Sequence, residues 1–209
     1  MIITAVEPTK SGRLALYVDG ALAGKVRPSV WEDSGLAIGS EVDRDIISGL
    51  LQEERQAKAR RKALSLLSMR DYSAHKLTES LTRKTDGQAA RAVVEDMARL
   101  GYVDDAAYAR RLAQVYYEEK QLALRRVRQE LLKRGLARRH IEEAVAFIDP
   151  EDEPQRAAAL IEKHFKLSEK LDESAIRRIA AFLERRGYGA SAISYALRTA
   201  ALVWEDETD

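Results

Sequence analysis

Cysteine is absent from this 209-residue chain, which excludes disulfides and every thiolate-ligated metal. Histidine occurs three times, at His75, His140 and His164, too far apart and too poorly partnered to build a metal site or a catalytic base. No apolar run approaches the ~20 residues of a membrane span, and the N-terminus lacks the basic start and apolar core of a signal peptide. A phosphate-cradling glycine loop is missing too, since Gly35 and Gly39 lack the lysine–serine ending and the strand context, and there is no nucleophile elbow. These absences argue against an enzyme, a bound metal and a cofactor. They leave a soluble protein, expected in the cytoplasm and as a monomer.

What the chain has is charge, unevenly placed. The formal net is only +1, yet residues 1–54 hold 5 basic and 9 acidic side chains, 55–149 hold 21 and 13, and 150–209 hold 9 and 12. A basic middle is the footprint of something that meets a polyanion or an acidic protein surface. Its centre is the stretch from Leu122 to Gly135, where Leu124, Val127, Leu131 and Leu132 recur at helical spacing and Arg125, Arg126, Arg128, Lys133 and Arg134 load the other faces.

The same design recurs. Ile179, Leu183 and Gly187 repeat the offsets of Val127, Leu131 and Gly135, and apolar residues return at the sixth and tenth positions after each glycine: Ile141 and Val145, Ile193 and Leu197. A looser copy, two residues longer in its first half, holds Leu77, Leu81, Gly87, Val93 and Met97. The glycines lie 48 and 52 residues apart, periods typical of stacked helical units. The expected fold is mainly α, with tandem three-helix repeats at about 55–102, 103–149 and 150–204 forming an elongated curved array. Residues 1–54 are expected to form a small β element and a short helix ahead of them.

That β element is read from apolar or alternating runs at Ile2–Val6, Leu14–Val18 and Ala21–Val26, broken at Pro8, Ser11-Gly12 and Asp19-Gly20. Asp-Gly between two such runs predicts a two-residue hairpin turn. Ser29 is expected to cap a helix around Val30–Ser34. A proline-free helix is expected from Asp43 to Ser68, with the polar segment Gln52–Lys62 either an exposed helix or a hinge. Ser73, Asp104 and either Asp172 or Ser174 are expected caps, Asp104–Asp105 being read as a helix start rather than a carboxylate pair. Further helices are expected at Gln88–Leu100 and Asp105–Lys120, a break at Asp149-Pro150, and a frayed acidic end at Glu205–Asp209. The tyrosines at 72, 102, 108, 116, 117, 188 and 195 are read mainly as core and junction residues rather than base-stacking platforms.

Four motifs in order resemble those of the RecX regulatory proteins over about residues 55–200. They are Ala63-Leu64 with Leu66-Leu67, Arg70, Tyr72-Ser73, Leu77 and Leu81; Gly101-Tyr102-Val103-Asp104-Asp105 with Tyr108-Ala109; Arg126-Val127 with Glu130-Leu131 and Lys133-Arg134-Gly135-Leu136; and Phe182-Leu183 with Arg186-Gly187-Tyr188. Lys76 stands where the family usually has an acid, and Ala123 where a glycine is common. The N-terminal sheet resembles an extension found in part of the family. The resemblance implies a helical-repeat protein that binds the RecA recombinase filament on DNA, lies along its groove and inhibits strand exchange and ATP hydrolysis without catalysis of its own. Arg70, Arg125, Arg126, Arg128, Lys133, Arg134, Arg185 and Arg186 are the expected partner- or DNA-binding residues. A plain nucleic-acid-binding helical protein, touching single- or double-stranded DNA, and a protein-interaction scaffold with another partner are the alternative readings.

Overall fold

The computed structural model describes residues 1–165 and 172–206, with side chains through Ala201. The chain forms two compact units, Met1–Val103 and Asp104–Asp209. In the first, strands β1 (Ile3–Pro8), β2 (Leu14–Val18) and β3 (Ala21–Val26) form an antiparallel sheet in sequence order. Val18 pairs with Ala21, and Asp19 and Gly20 close the turn with φ of +49° and +81°, the left-handed pair that a type I′ hairpin demands. β1 continues through Pro8, which sits opposite Leu14 at the end of an edge strand where its missing N–H costs no ladder bond.

Helix α1 (Pro28–Asp33) starts with Pro28 rather than behind a serine: Arg27 is the N-cap and no side chain caps it, so the expected role of Ser29 does not hold. Helix α2 (Arg44–Leu67) begins at Asp43, whose carboxylate accepts from the Ile46 N–H, and it passes through Gly49 and Gln52–Lys62 without interruption. Its first half packs Ile47 and Leu50 against the sheet residues Ile3, Leu16, Val18 and Val26. Within the polar stretch Glu54 is buried, accepting from the Arg27 backbone N–H at 3.1 Å and Nε at 2.9 Å. The second half of α2 places Ala59 and Ala63 against α3 (Ala74–Thr82) and α4 (Gly87–Arg99), around Leu77, Leu81, Val93 and Met97.

Gly87 departs from its expected role. It is the first residue of α4, capped by Asp86 through the Gln88 and Ala89 N–H groups, whereas Gly135 and Gly187 take φ of +75° and +94° after their helices. The apolar positions that follow keep their places all the same: Val93, Met97, Ile141, Val145 and Ile193 are buried.

The second unit holds two three-helix groups. Asp104 caps α5 (Asp105–Gln114), and a π-helical turn at Val115–Glu119 continues it where a uniform helix to Lys120 was expected. Helices α6 (Leu124–Lys133) and α7 (Arg138–Val145) complete the first group around Val127, Leu131, Leu136 and Ile141. After a 3₁₀ turn at Pro150–Asp152, α8 (Glu153–His164), α9 (Glu173–Arg186) and α10 (Ala190–Asp206) enclose Leu160, Ile161, Ile179, Leu183 and Tyr188. Asp172 caps α9 through the Ala175 N–H at 2.6 Å. The helix of the acidic end reaches Asp206, and 207–209 lie outside the described residues. In each three-helix group the first and third helices pack on each other: α2 on α4, α5 on α7, α8 on α10. No described helix is long and apolar enough to cross a membrane.

Candidate interaction surface

Helix α6 forms because its apolar residues fall on one side. Leu124, Val127 and Leu131 are buried, but Leu132, expected on the same face, is 51% exposed, because it lies a third of a turn past Leu131. The cations occupy the remaining circumference in distinct settings. Arg128 forms a fork with Glu142 of α7, Nη2 to Oε2 at 2.7 Å, so it ties two helices together. Arg126 and Lys133 share Glu130 at 3.0 and 2.9 Å. The hydrogen bond from Lys133, helped by the charges of Lys133, Arg126 and Arg134, holds the Glu130 carboxyl below its usual range against a smaller opposing effect of burial. Arg134 donates from Nε to the Tyr116 hydroxyl at 3.3 Å, which raises its basicity further. Arg125 is exposed and has no ion pair among the described residues.

The fold sets the backbone at Arg126 against that at Arg186 and Gly187, some sixty residues later. The Ala123 N–H donates to the Arg186 carbonyl at 3.0 Å, setting the start of α6 against the end of α9. Gly187 makes the approach possible: a Cβ there would lie 2.5 Å from the Arg126 Cβ and 3.2 Å from its N. Ala123 itself is buried with φ −68°, a backbone conformation that any side chain can adopt. Arg186 stacks its guanidinium 3.7 Å above the Phe182 ring, and its Nε is buried with no hydrogen-bond partner. Burial, together with the like charge of Arg185, pushes the Arg186 basicity down. Arg70 belongs to the first unit, exposed after α2, with its guanidinium 4.6 Å over Tyr72.

Several residues that hold this surface escaped the sequence reading. The Leu124 N–H donates to Glu153 Oε1 at 2.8 Å, so α6 is capped by the first residue of α8. Arg156 of α8 donates to the Tyr117 carbonyl at 2.7 Å with its guanidinium 3.6 Å over the Tyr117 ring, and the Tyr188 hydroxyl donates to the Gln121 carbonyl at 3.3 Å. Burial raises the pKa of both tyrosines, which favours the neutral phenol in each. Tyr117 and Tyr188 are therefore core residues, as expected, while Tyr102 is 59% exposed. His75 and His164 are exposed and His140 is half-buried, and among the described residues no cluster of acids and histidines could hold a metal ion.

Comparison with known proteins gives this arrangement relatives. Residues 104–145 match the family model for the second three-helix domain of RecX, and residues 151–197 match that for the third. Regulatory protein RecX of Vibrio parahaemolyticus serotype O3:K6 (strain RIMD 2210633) is 34% identical over 152 residues, covering 70% of this chain and 96% of the relative. Regulatory protein RecX of Clostridioides difficile (strain 630) is 27% identical over 199 residues, 94% of each chain. A crystal structure of regulatory protein RecX has the same fold, with a TM-score of 0.64 over 92% of this chain and 97% of that one at 23% identity.

Proposed function

This chain belongs to the RecX family of regulatory proteins, and from that membership we propose that it regulates by binding alone, docking on the RecA recombinase filament on DNA and inhibiting its ATP hydrolysis and strand exchange. The observation that supports the reading is the close backbone approach of Arg126 to Arg186 and Gly187 where two three-helix groups meet, with the exposed Arg125 and Arg185 beside them in sequence. Guanidinium groups bind carboxylates and phosphates through paired N–H donors, the chemistry that both components of a nucleoprotein filament present. Arg128, Lys133 and Arg134 extend the positive face along α6, although Arg128 is largely committed to Glu142. Arg70 supplies a separate cation in the first unit.

The test is ATP hydrolysis by the cognate RecA on single-stranded DNA, titrated with this protein. Inhibition at fewer copies than recombinase monomers is expected. Reversing Arg125 and Arg126 to glutamate should weaken that inhibition with helicity unchanged. A folded wild-type protein without effect would remove the reading.

A further inference from the structure

The first helix of the second three-helix domain ends irregularly. The Lys120 N–H reaches back to the Val115 carbonyl at 3.0 Å and the Leu122 N–H to the Tyr116 carbonyl at 3.0 Å, where a regular helix would reach back four residues. Gln121 then leaves the helix with φ of +54°, a left-handed conformation uncommon for a residue with a side chain. Such an end leaves backbone groups that the helix itself does not satisfy.

The third domain supplies the partners. The Tyr117 carbonyl, which a regular helix would pair with the N–H of residue 121, accepts instead from Arg156 Nη2 at 2.7 Å. The Gln121 carbonyl accepts from the Tyr188 hydroxyl at 3.3 Å. The Ala123 N–H donates to the Arg186 carbonyl at 3.0 Å and the Leu124 N–H to Glu153 Oε1 at 2.8 Å. Arg156 is the most committed of these partners. Its guanidinium also lies 3.6 Å over the Tyr117 ring, which meets Phe147 edge-on at 5.7 Å, and its Nε is buried without a hydrogen-bond partner, a cost that a solvated arginine does not bear.

We propose that these contacts make the second and third three-helix domains one rigid body, and that Arg156 is the positioning residue that fixes the angle between them. Rotation of the third domain would orphan backbone groups of Tyr117, Ala123 and Leu124, all of them on buried residues. A hinge needs backbone whose partners can change, and here the partners come from the domain that would have to move. The consequence for function rests on the reading of this chain as a docking regulator. Two domains that dock together must present their surfaces at one relative orientation, and a joint that already holds it lowers the ordering cost of binding.

Because the chain has no cysteine, a pair of nitroxide labels can be placed in the full protein without background. Glu143→Cys on α7 and Glu184→Cys on α9, both exposed, report the distance between the two domains by double electron–electron resonance with no recombinase present. Arg110→Cys with Glu143→Cys, both in the second domain, gives the width of a fixed pair. The interdomain distribution is expected to be as narrow as that control. Arg156→Met keeps an apolar stem but no donor, and should widen the distribution about twofold with helicity retained, since the Tyr117 carbonyl no longer ties α8 down. Arg156→Lys restores a cation and a donor and should narrow it partway. Tyr188→Phe, which removes one oxygen and leaves the packing, should widen it less and stands in for Arg156→Met if that variant loses helicity. A wild-type distribution broader than the control, wild-type width in both Arg156→Met and Tyr188→Phe, or equal widths for Arg156→Met and Arg156→Lys would each overturn the proposal.

In the RecA ATPase titration, Arg156→Met should raise the half-inhibiting concentration about fivefold, since only the fraction of molecules holding the docking angle binds. Unchanged inhibition by a widened Arg156→Met would overturn the part of the joint in docking. A wild type that does not inhibit would remove the regulatory reading and leave the joint to stand on its distances, and a broad wild-type distribution with inhibition intact would do the reverse.

Discussion

A Cβ at Gly187 has nowhere to go: backbone atoms of Arg126 lie within 3.3 Å of it, and the residue sits at φ +94°. At Gly101 the φ is +78° but the space is open. Gly101→Ala should therefore cost only the left-handed backbone penalty, about 1 kcal/mol. Gly187→Ala adds overpacking against backbone and should cost about 2–4 kcal/mol. Urea unfolding of the two variants checks this, and equal costs would show that the α6–α9 approach is not tight. The breaker role of Gly187 was legible from its offset to Leu183, matched by Gly135 and Leu131. Gly87 was misread by the same alignment, because the adjacent Asp86 caps α4 and local capping outweighs a loose periodic match. Leu132 shows the complementary limit, since spacing alone does not say how wide the buried stripe is.

Whole helices were legible where their ends carry their own signals. Asp43, Ser73, Asp104 and Asp172 each cap the helix that follows. Helix α6 has no such signal, because its cap, Glu153, lies 29 positions away and only folding brings it near. Glu153→Ala should cost about 1 kcal/mol, the loss of an N-terminal cap, in urea unfolding. Glu153→Gln keeps an accepting oxygen and should cost less. If both are neutral, water replaces the carboxylate and the link between α8 and α6 is not structural. The same helix carries a pH dependence through Glu130. Its carboxyl is held low in the folded protein, so its contribution is complete above the ordinary carboxylate pKa of about 4.3 and is lost as pH falls through the folded value. Partial exposure limits that contribution to below about 1 kcal/mol. Glu130→Gln should flatten the acid side of the stability curve, and an unchanged curve would assign the acid sensitivity to other carboxylates.

At the scale of the molecule, the sequence holds its excess of positive charge in 55–149 but does not say how much of it is spent internally. Arg60 pairs with Asp96 and Arg128 with Glu142, and each pairing joins segments that spacing does not connect. Those pairs join parts of the fold, and if the unpaired cations serve binding, as proposed, salt separates the two roles. Exposed ion pairs contribute about 0–1 kcal/mol each, so raising salt from about 50 to 200 mM should barely move the urea midpoint. Binding to a polyanion releases counterions, and a contact of only three or four phosphates should weaken by about tenfold or more over the same range. The concentration needed to half-inhibit RecA ATP hydrolysis should therefore rise by that factor while the protein's stability stays nearly constant, provided salt controls without this protein correct for RecA's own response. A parallel loss of stability would mean that the cations act mainly within the fold. A flat inhibition curve with stability intact would mean that the filament is gripped by the exposed apolar residues, such as Leu132 and Tyr102, rather than by the arginines.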